Sequence, residues 1–319
     1  MIRSLGRTLW LGVLLTAVMP LLASAQAGRF PFSDAGDFSE AAVLHGVVAT
    51  REQCHMAPHA VWADAGRFGA ECLRYWKGGL DLLPVKRVLV FFHGDAYVGV
   101  GNTSPTYLSS SSAKLRDDAE GWGKRLGVPY IFIGRPGTHG SSGDHMQRRR
   151  AAESGLISAA LDVIKSRYGV EEFVIAGQSG GGHVTSSLLT LRHDIVCAVP
   201  ASAPSSPRIR WEMMGRSRDT TGYADSYEPT QHLNKGGMHP NLRVFVLGDP
   251  NDRNVFWAAQ KIMADALAQA GVSVQVLHGK GSGPQAHGLS NSSRLVAAWC
   301  AKETSTQDML RLAARGLKG

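Results

Sequence analysis

Ser179 stands in the stretch Ile175-Ala176-Gly177-Gln178-Ser179-Gly180-Gly181-Gly182-His183, directly after an apolar run and ahead of a helix-like segment, GHVTSSLLTLR. The spacing is G-x-S-x-G, with Gly177 and Gly181 two residues to either side of the serine. A serine held on a sharp strand-to-helix turn needs small neighbours, because larger ones would make strand and helix collide. Such a turn lifts the hydroxyl above the sheet edge. It also points the N–H of Gly180, at the helix start, toward any oxygen bound beside Ser179. The chemistry this permits is nucleophilic acyl transfer. The stretch lacks the lysine and the spacing of a phosphate-binding P-loop.

A serine hydroxyl is a weak nucleophile until a base takes its proton, and the base needs an orienting carboxylate. With the nucleophile on such a turn, acid and histidine are expected later in the chain, in that order, each after a strand. The run VFVLGDPNDRNVF ends a strand with Asp249 and Asp252; the run VQVLHGKGSGPQAHGLSNSS ends the next with His278 and His287. Asp252 precedes Arg253-Asn254-Val255, which resembles the D-x-x-V turn that often follows a catalytic acid, and is preferred; Asp249, nearer the strand end, is the alternative. His287 lies on a loop long enough to reach back to Ser179, whereas His278 follows its strand directly and reads as structural. A second oxyanion donor is expected after an early strand. In VLVFFHGDAY the residue after His93-Gly94 is Asp95, whose backbone N–H is the expected donor, with Ala96 next and the Tyr97 hydroxyl as a variant. A carboxylate beside a developing oxyanion is repulsive, so the Asp95 side chain must point away or bind something.

The elements that would carry these residues are legible as apolar runs. VKRVLVFF (85–92), PYIFIG (129–134), EEFVIAG (171–177), DIVCAVP (194–200), LRVFVLG (242–248) and VSVQVLHG (272–279) read as strands covered on both faces. Helix-like stretches alternate with them: RRRAAESGLISAALDVIKSRYG puts Ala152, Leu156, Ala159, Ala160 and Val163 on one face, and VFWAAQKIMADALAQAG stops on Gly271. Alternation of this kind indicates βαβ units, a mostly parallel sheet and right-handed crossovers that place helices on both faces. Ahead of it, HAVWADAG and AECLRYWKGG read as a strand pair around a glycine turn. Residues 201–241 break the alternation with prolines, glycines and scattered aromatics and are expected to cap one end of the sheet.

The start of the chain is different in kind. MIRSLGRT carries two arginines and no acid, an apolar stretch follows, and small residues end it. This is the layout of a secretory signal peptide over residues 1–25, cut near Ala25 or Ala27. Residues 26–319 then form a single domain, exported to the periplasm or the medium, with no stable membrane insertion. In an oxidising compartment the four cysteines are expected to form two disulfides; Cys54–Cys72 and Cys197–Cys300 join elements placed side by side. CHMAPH holds Cys54, His55 and His59 without a second ligand pair, so a metal site is not expected. Net charge is +8, or +6 once Arg3 and Arg7 are removed. The one dense basic cluster, Gln147–Arg150, has no interleaved aromatics and reads as a solvated helix start rather than a nucleic-acid patch.

The serial order of strand-HG at 93–94, GRPGTHGSSG at 134–143, GQSGG at 177–181, the D-x-x-V turn at 252–255 and HG at 287–288 resembles the α/β-hydrolase superfamily over residues 80–302. Its details are similar to the prolyl-oligopeptidase and dienelactone-hydrolase-like branches of secreted bacterial esterases. The resemblance implies an eight-stranded, mostly parallel sheet and cofactor-free hydrolysis of a small-molecule or oligomeric carboxylic ester by Ser179, His287 and Asp252, with Gly180 and Asp95 as oxyanion donors. The chain departs from the pattern in lacking HGGG, in an extra residue between Gly248 and Asp252, and in having no β-propeller domain. A serine peptidase or amidase would use the same residues, and a non-catalytic binding protein on the same scaffold is the remaining alternative.

Overall fold

Every residue of Val88–Phe92 is buried, and the side chains alternate between two cores. Val88, Val90 and Phe92 join one cluster, and Leu89 and Phe91 join the other. A continuous apolar strand is what a sheet covered on both faces requires. The structure, a computed structural model, describes residues 28–29, 38–80, 84–97 and 102–319; the expected signal peptide lies outside them.

The main sheet contains β1 (Ala60–Asp64), β2 (Ala70–Gly78), β3 (Arg87–Phe92), β4 (Tyr130–Ile133), β5 (Glu172–Gln178), β6 (Ile195–Ala201), β7 (Arg243–Gly248), β8 (Ser273–Lys280) and β9 (Leu317–Lys318). Its order is β9-β8-β7-β6-β5-β3-β4-β2-β1. All neighbours from β9 to β4 run parallel, while β2 pairs antiparallel with both β4 and β1. The described sheet has nine strands where eight were expected. The addition is the two-residue β9, which extends the β8 edge from the end of the chain.

Helices α2 (Ala151–Tyr168), α3 (Gly180–Leu188) and α4 (Trp257–Gln269) cover one face; α1 (Ser112–Leu126) and α5 (Ser290–Ala301) cover the other. The buried stripe of α2 is turned from the expected one. Leu156 and Ala160 are shared with it, but Ile157, Leu161 and Ile164 make the core contacts, while Ala159 and Val163 are only partly buried. Pattern reading favoured the small residues; packing selects the row with the greater apolar volume. Residues 201–241 hold a short helix (Pro207–Met213) and two 3-10 turns. They are tied to the body by the Arg149–Asp219 ion pair and by the Tyr227 N–H, which donates to the Arg149 carbonyl at 2.7 Å. Among the described residues no helix is long and apolar enough to cross a membrane.

Two disulfides staple this frame. Cys54, on a helix ahead of β1, bonds Cys72 on β2, and Cys197 on β6 bonds Cys300 on α5 across 103 residues of sequence. A crosslink restrains the unfolded chain more as its loop lengthens. Replacing Cys197 and Cys300 together by alanine should therefore cost about 4 to 5 kcal/mol of unfolding free energy, and replacing Cys54 and Cys72 about 3 kcal/mol. Urea denaturation of the two double variants checks the order; equal midpoints would show that loop closure is not what these bonds supply.

Candidate active site

Ser179 follows the last residue of β5 and caps α3 with φ +57° and ψ −122°, a backbone region that a residue with a Cβ occupies at a cost. The strain is imposed by packing. A Cβ on Gly177 would overlap the Gly181 carbonyl, and one on Gly181 would overlap the Phe92 carbonyl at the end of β3. Strand and helix therefore approach as only glycine allows. The Ser179 N–H donates to the Ala201 carbonyl at 2.9 Å, which anchors the turn to β6.

Asp252, after β7, is buried and saturated. Its Oδ1 accepts from the N–H groups of Asn254 (2.8 Å) and Val255 (3.0 Å), and its Oδ2 accepts from Gln260 Nε2 (3.0 Å) and from His287 Nδ1 (2.8 Å). A carboxylate only accepts, so Nδ1 of His287 carries the proton and Nε2 presents its lone pair. That Nε2 is buried and has no hydrogen-bond partner. The loop bearing His287 is held on both sides: Gln178 Nε2 donates to the His287 carbonyl at 3.1 Å, and the Arg253 N–H donates to the Gln285 carbonyl at 2.9 Å. Ser179 and His287 line one cavity of about 210 Å³, together with Gly94, Asp95, Asn254 and three arginines. No hydrogen bond joins the Ser179 hydroxyl to the imidazole in this state; such contacts commonly tighten only when substrate is bound.

The alternative acid serves elsewhere. Asp249 Oδ1 accepts from the Asn251 N–H, and its Oδ2 accepts from the Gly281 N–H at 2.8 Å, so it ties the end of β7 to the loop after β8. His278 is exposed on β8, edge-on to Trp257 at 5.1 Å, and takes no part in the cavity. Of the expected oxyanion donors, the N–H groups of Gly180 and Asp95 make no hydrogen bond with the described residues, whereas the Ala96 N–H is occupied by His145 Nε2 at 3.1 Å. The Tyr97 ring also lines the cavity, with the Arg148 guanidinium 5.4 Å from its centroid.

The Asp95 carboxylate lies against Gly180, where any Cβ would overlap it. It is held there by Arg135 (3.0 Å), Arg148 (3.1 Å) and Arg149. Burial alone would raise its pKa, but the three guanidiniums outweigh burial and hold the carboxyl well below the usual carboxylate range. Two of these arginines belong to the Gln147–Arg150 cluster and are almost fully buried, so the expected solvated helix start is corrected. α2 begins only at Ala151, and the residues before it turn inward because Asp95 and Asp219 are there to meet them. Arg135 pairs in addition with Glu153 at 2.7 Å. Sequence reasoning missed this cage; its one signal was the demand that the Asp95 side chain bind something.

Four histidines packed around the site are neutral at pH 7. Burial first, and the neighbouring charges second, hold His93 and His145 well below the usual imidazole range; burial and Arg135 pull His139 down to about 3, and burial takes His183 down to about 4. Their bonds suit neutral rings: His145 accepts from Ala96, and His183 Nε2 meets the Tyr227 carbonyl at 2.8 Å.

No protein-family model and no curated protein matches the chain by sequence. Solved structures match its fold. Est1E from Butyrivibrio proteoclasticus with bound ferulic acid aligns at TM-score 0.52 and 15% identity, over 80% of this chain and 100% of its own. The Pyrococcus furiosus esterase Pf2001 aligns at TM-score 0.50 and 14% identity, over 85% of this chain and 97% of its own. The Pyrococcus horikoshii acylaminoacyl peptidase aligns at TM-score 0.50 and 13% identity over 82% of this chain, which spans only 41% of the peptidase.

Asp252→Asn should slow active-site labelling by a fluorophosphonate about 10³- to 10⁴-fold, because an amide in place of the carboxylate favours the wrong imidazole tautomer. Asp249→Asn should slow it less than tenfold and act on stability instead; the reverse order would reassign the acid. A pH prediction follows from the buried histidines. Their folded pKa values lie below the unfolded value near 6.5, so the unfolded chain takes protons first as pH falls. Stability should be fully present above pH ~6.5 and decline toward pH ~4, by at most about 1.4 kcal/mol per unit for each ring. Urea midpoints at pH 7.5 and pH 5 measure it, and an unchanged midpoint would be incompatible with neutral buried rings.

Proposed function

We propose that this chain, built on the α/β-hydrolase fold, cleaves carboxylic esters through an acyl-enzyme on Ser179. His287 Nε2 takes the hydroxyl proton as Ser179 attacks the ester carbonyl. Asp252 holds the imidazole and stabilises its charged form. The N–H groups of Gly180 and Asp95 receive the oxyanion; one such donor is worth about 3 to 4 kcal/mol in the transition state. His287 then returns the proton to the departing alcohol, and water repeats the cycle on the acyl-enzyme. The observation that carries this reading is the Asp252–His287 bond at 2.8 Å, with the imidazole's other nitrogen buried and unpaired beside the cavity that Ser179 lines.

The arginine cage fits the same reading. It neutralises a carboxylate that would otherwise repel the oxyanion, and it leaves the Asp95 N–H available. Residues 201–241 act as the cap, contributing Pro204, Arg210 and Thr220 to the cavity. Two disulfides and the basic, then apolar, N-terminal sequence support export to an oxidising compartment. Esters are preferred over amides because the esterases named above are matched over nearly their whole length and the peptidase over 41%.

Purified protein should be labelled by a fluorophosphonate and should hydrolyse p-nitrophenyl acetate; Ser179→Ala should abolish the first and reduce the second by at least about 10³-fold. Faster turnover of a peptide anilide than of the matched ester would favour the amidase, and labelling that survives Ser179→Ala would end the proposal.

A further inference from the structure

Arg210 lines the Ser179 cavity, yet among the described residues no carboxylate lies within ion-pair distance of it. Its bonds are to a neutral partner: Nε donates to the Asn254 carbonyl at 3.2 Å and Nη2 to Asn254 Oδ1 at 2.7 Å. Its Nη1, and the Nη2 of Arg148, which lines the same cavity, make no hydrogen bond with the described residues.

Arg210 stands outside the ion pairs around the cavity. Asp95 faces Arg135, Arg148 and Arg149; Glu153 takes Arg135 and Asp219 takes Arg149. Arg135, Arg148 and Arg149 are therefore engaged by Asp95, Glu153 and Asp219, and Asp252 is engaged by His287, so Arg210 is left without a carboxylate partner of its own. Burial, and secondly the charge of Arg149, draws the Arg210 pKa down to about 10, so the group stays protonated at neutral pH with no carboxylate in contact. A partly buried cation without a counter-ion is costly unless a ligand supplies one. Guanidinium N–H groups arranged as a fork match a carboxylate in geometry.

We infer that Arg210, with Arg148 on the same cavity, binds a free carboxylate on one arm of the substrate, so that the preferred esters are hemiesters of dicarboxylic acids. The inference rests on the hydrolase reading above, and it assigns Arg210 to substrate binding rather than to the chemical step. A merely structural Arg210 would act through Asn254, whose N–H donates to Asp252, and would move kcat for every ester alike.

The test compares monomethyl with dimethyl esters of succinate, glutarate and adipate. For the best chain length the wild-type protein should show a hemiester-to-diester ratio of kcat/KM of at least about tenfold, expressed in KM. Arg210→Gln should collapse that ratio by tenfold or more, and Arg210→Lys should retain part of it. A wild-type ratio at or below one, or a ratio unmoved in Arg210→Gln, overturns the inference and needs no assumption about folding of the variant. Binding keeps it separate from catalysis. By calorimetry, Ser179→Ala should bind the free dicarboxylate of that length, and the additional Arg210→Gln change should weaken binding tenfold. Binding without any ester turnover would leave the carboxylate site standing and remove the esterase reading. Turnover of diesters with no dicarboxylate binding would do the opposite. Inorganic phosphate binding as tightly as the dicarboxylate would overturn the carboxylate assignment.

Discussion

The hydrogen bond from His287 Nδ1 to Asp252 Oδ2 is the contact on which the remainder of the site turns. It decides the tautomer of the ring, and the tautomer decides whether Nε2 can accept a proton. Its strength depends on the other three bonds to the same carboxylate. Two come from the backbone of the turn and one from Gln260 on α4, so Asp252 cannot rotate without losing partners. Through Gln178 the His287 loop is bound to the end of β5 as well. The ends of β5, β7 and β8 are thus linked by hydrogen bonds around Ser179, Asp252 and His287.

The second organising feature is a buried charge set at the end of β3. Burying Asp95 alone would be prohibitive, and burying Arg149 alone equally so. Together with Arg135, Arg148, Glu153 and Asp219 they form a network in which no carboxylate lacks an arginine. Such networks are weak contributors to net stability but expensive to break. Here the network leaves the N–H groups of Gly180 and Asp95 free, pins residues 201–241 through Asp219, and places arginines at the cavity wall. The insertion is therefore not an independent lid. It is fastened to Arg149, one of the arginines that neutralise Asp95.

Much of this was open to inspection in the linear chain. Continuous apolar runs specify strands buried on both faces, and G-x-S-x-G between such a run and a helix specifies a turn with no room for side chains. Asp252 and His287 were readable as residues that follow successive strands, and the structure brings the two into contact. The expected cysteine pairs likewise came from elements placed side by side. Less was legible where a residue's environment comes from afar. The α2 stripe was read one row off, since periodicity alone does not tell which of two adjacent rows meets the larger partner. The run Gln147–Arg150 looked solvent-facing because four polar residues usually are.

What the sequence by itself determined, then, is the set of elements and the residue types at their ends, because backbone sterics and apolar periodicity are local properties. What only the tertiary structure decided is partnership. Whether Asp249 or Asp252 receives the imidazole, which N–H remains free for an oxyanion, and where the arginines point all depend on groups distant along the chain, such as Arg135 and Asp95, 40 residues apart, or Arg149 and Asp219, 70 apart. Charge–charge and hydrogen-bond energies depend on distance and burial, and neither exists until the sheet has closed around them.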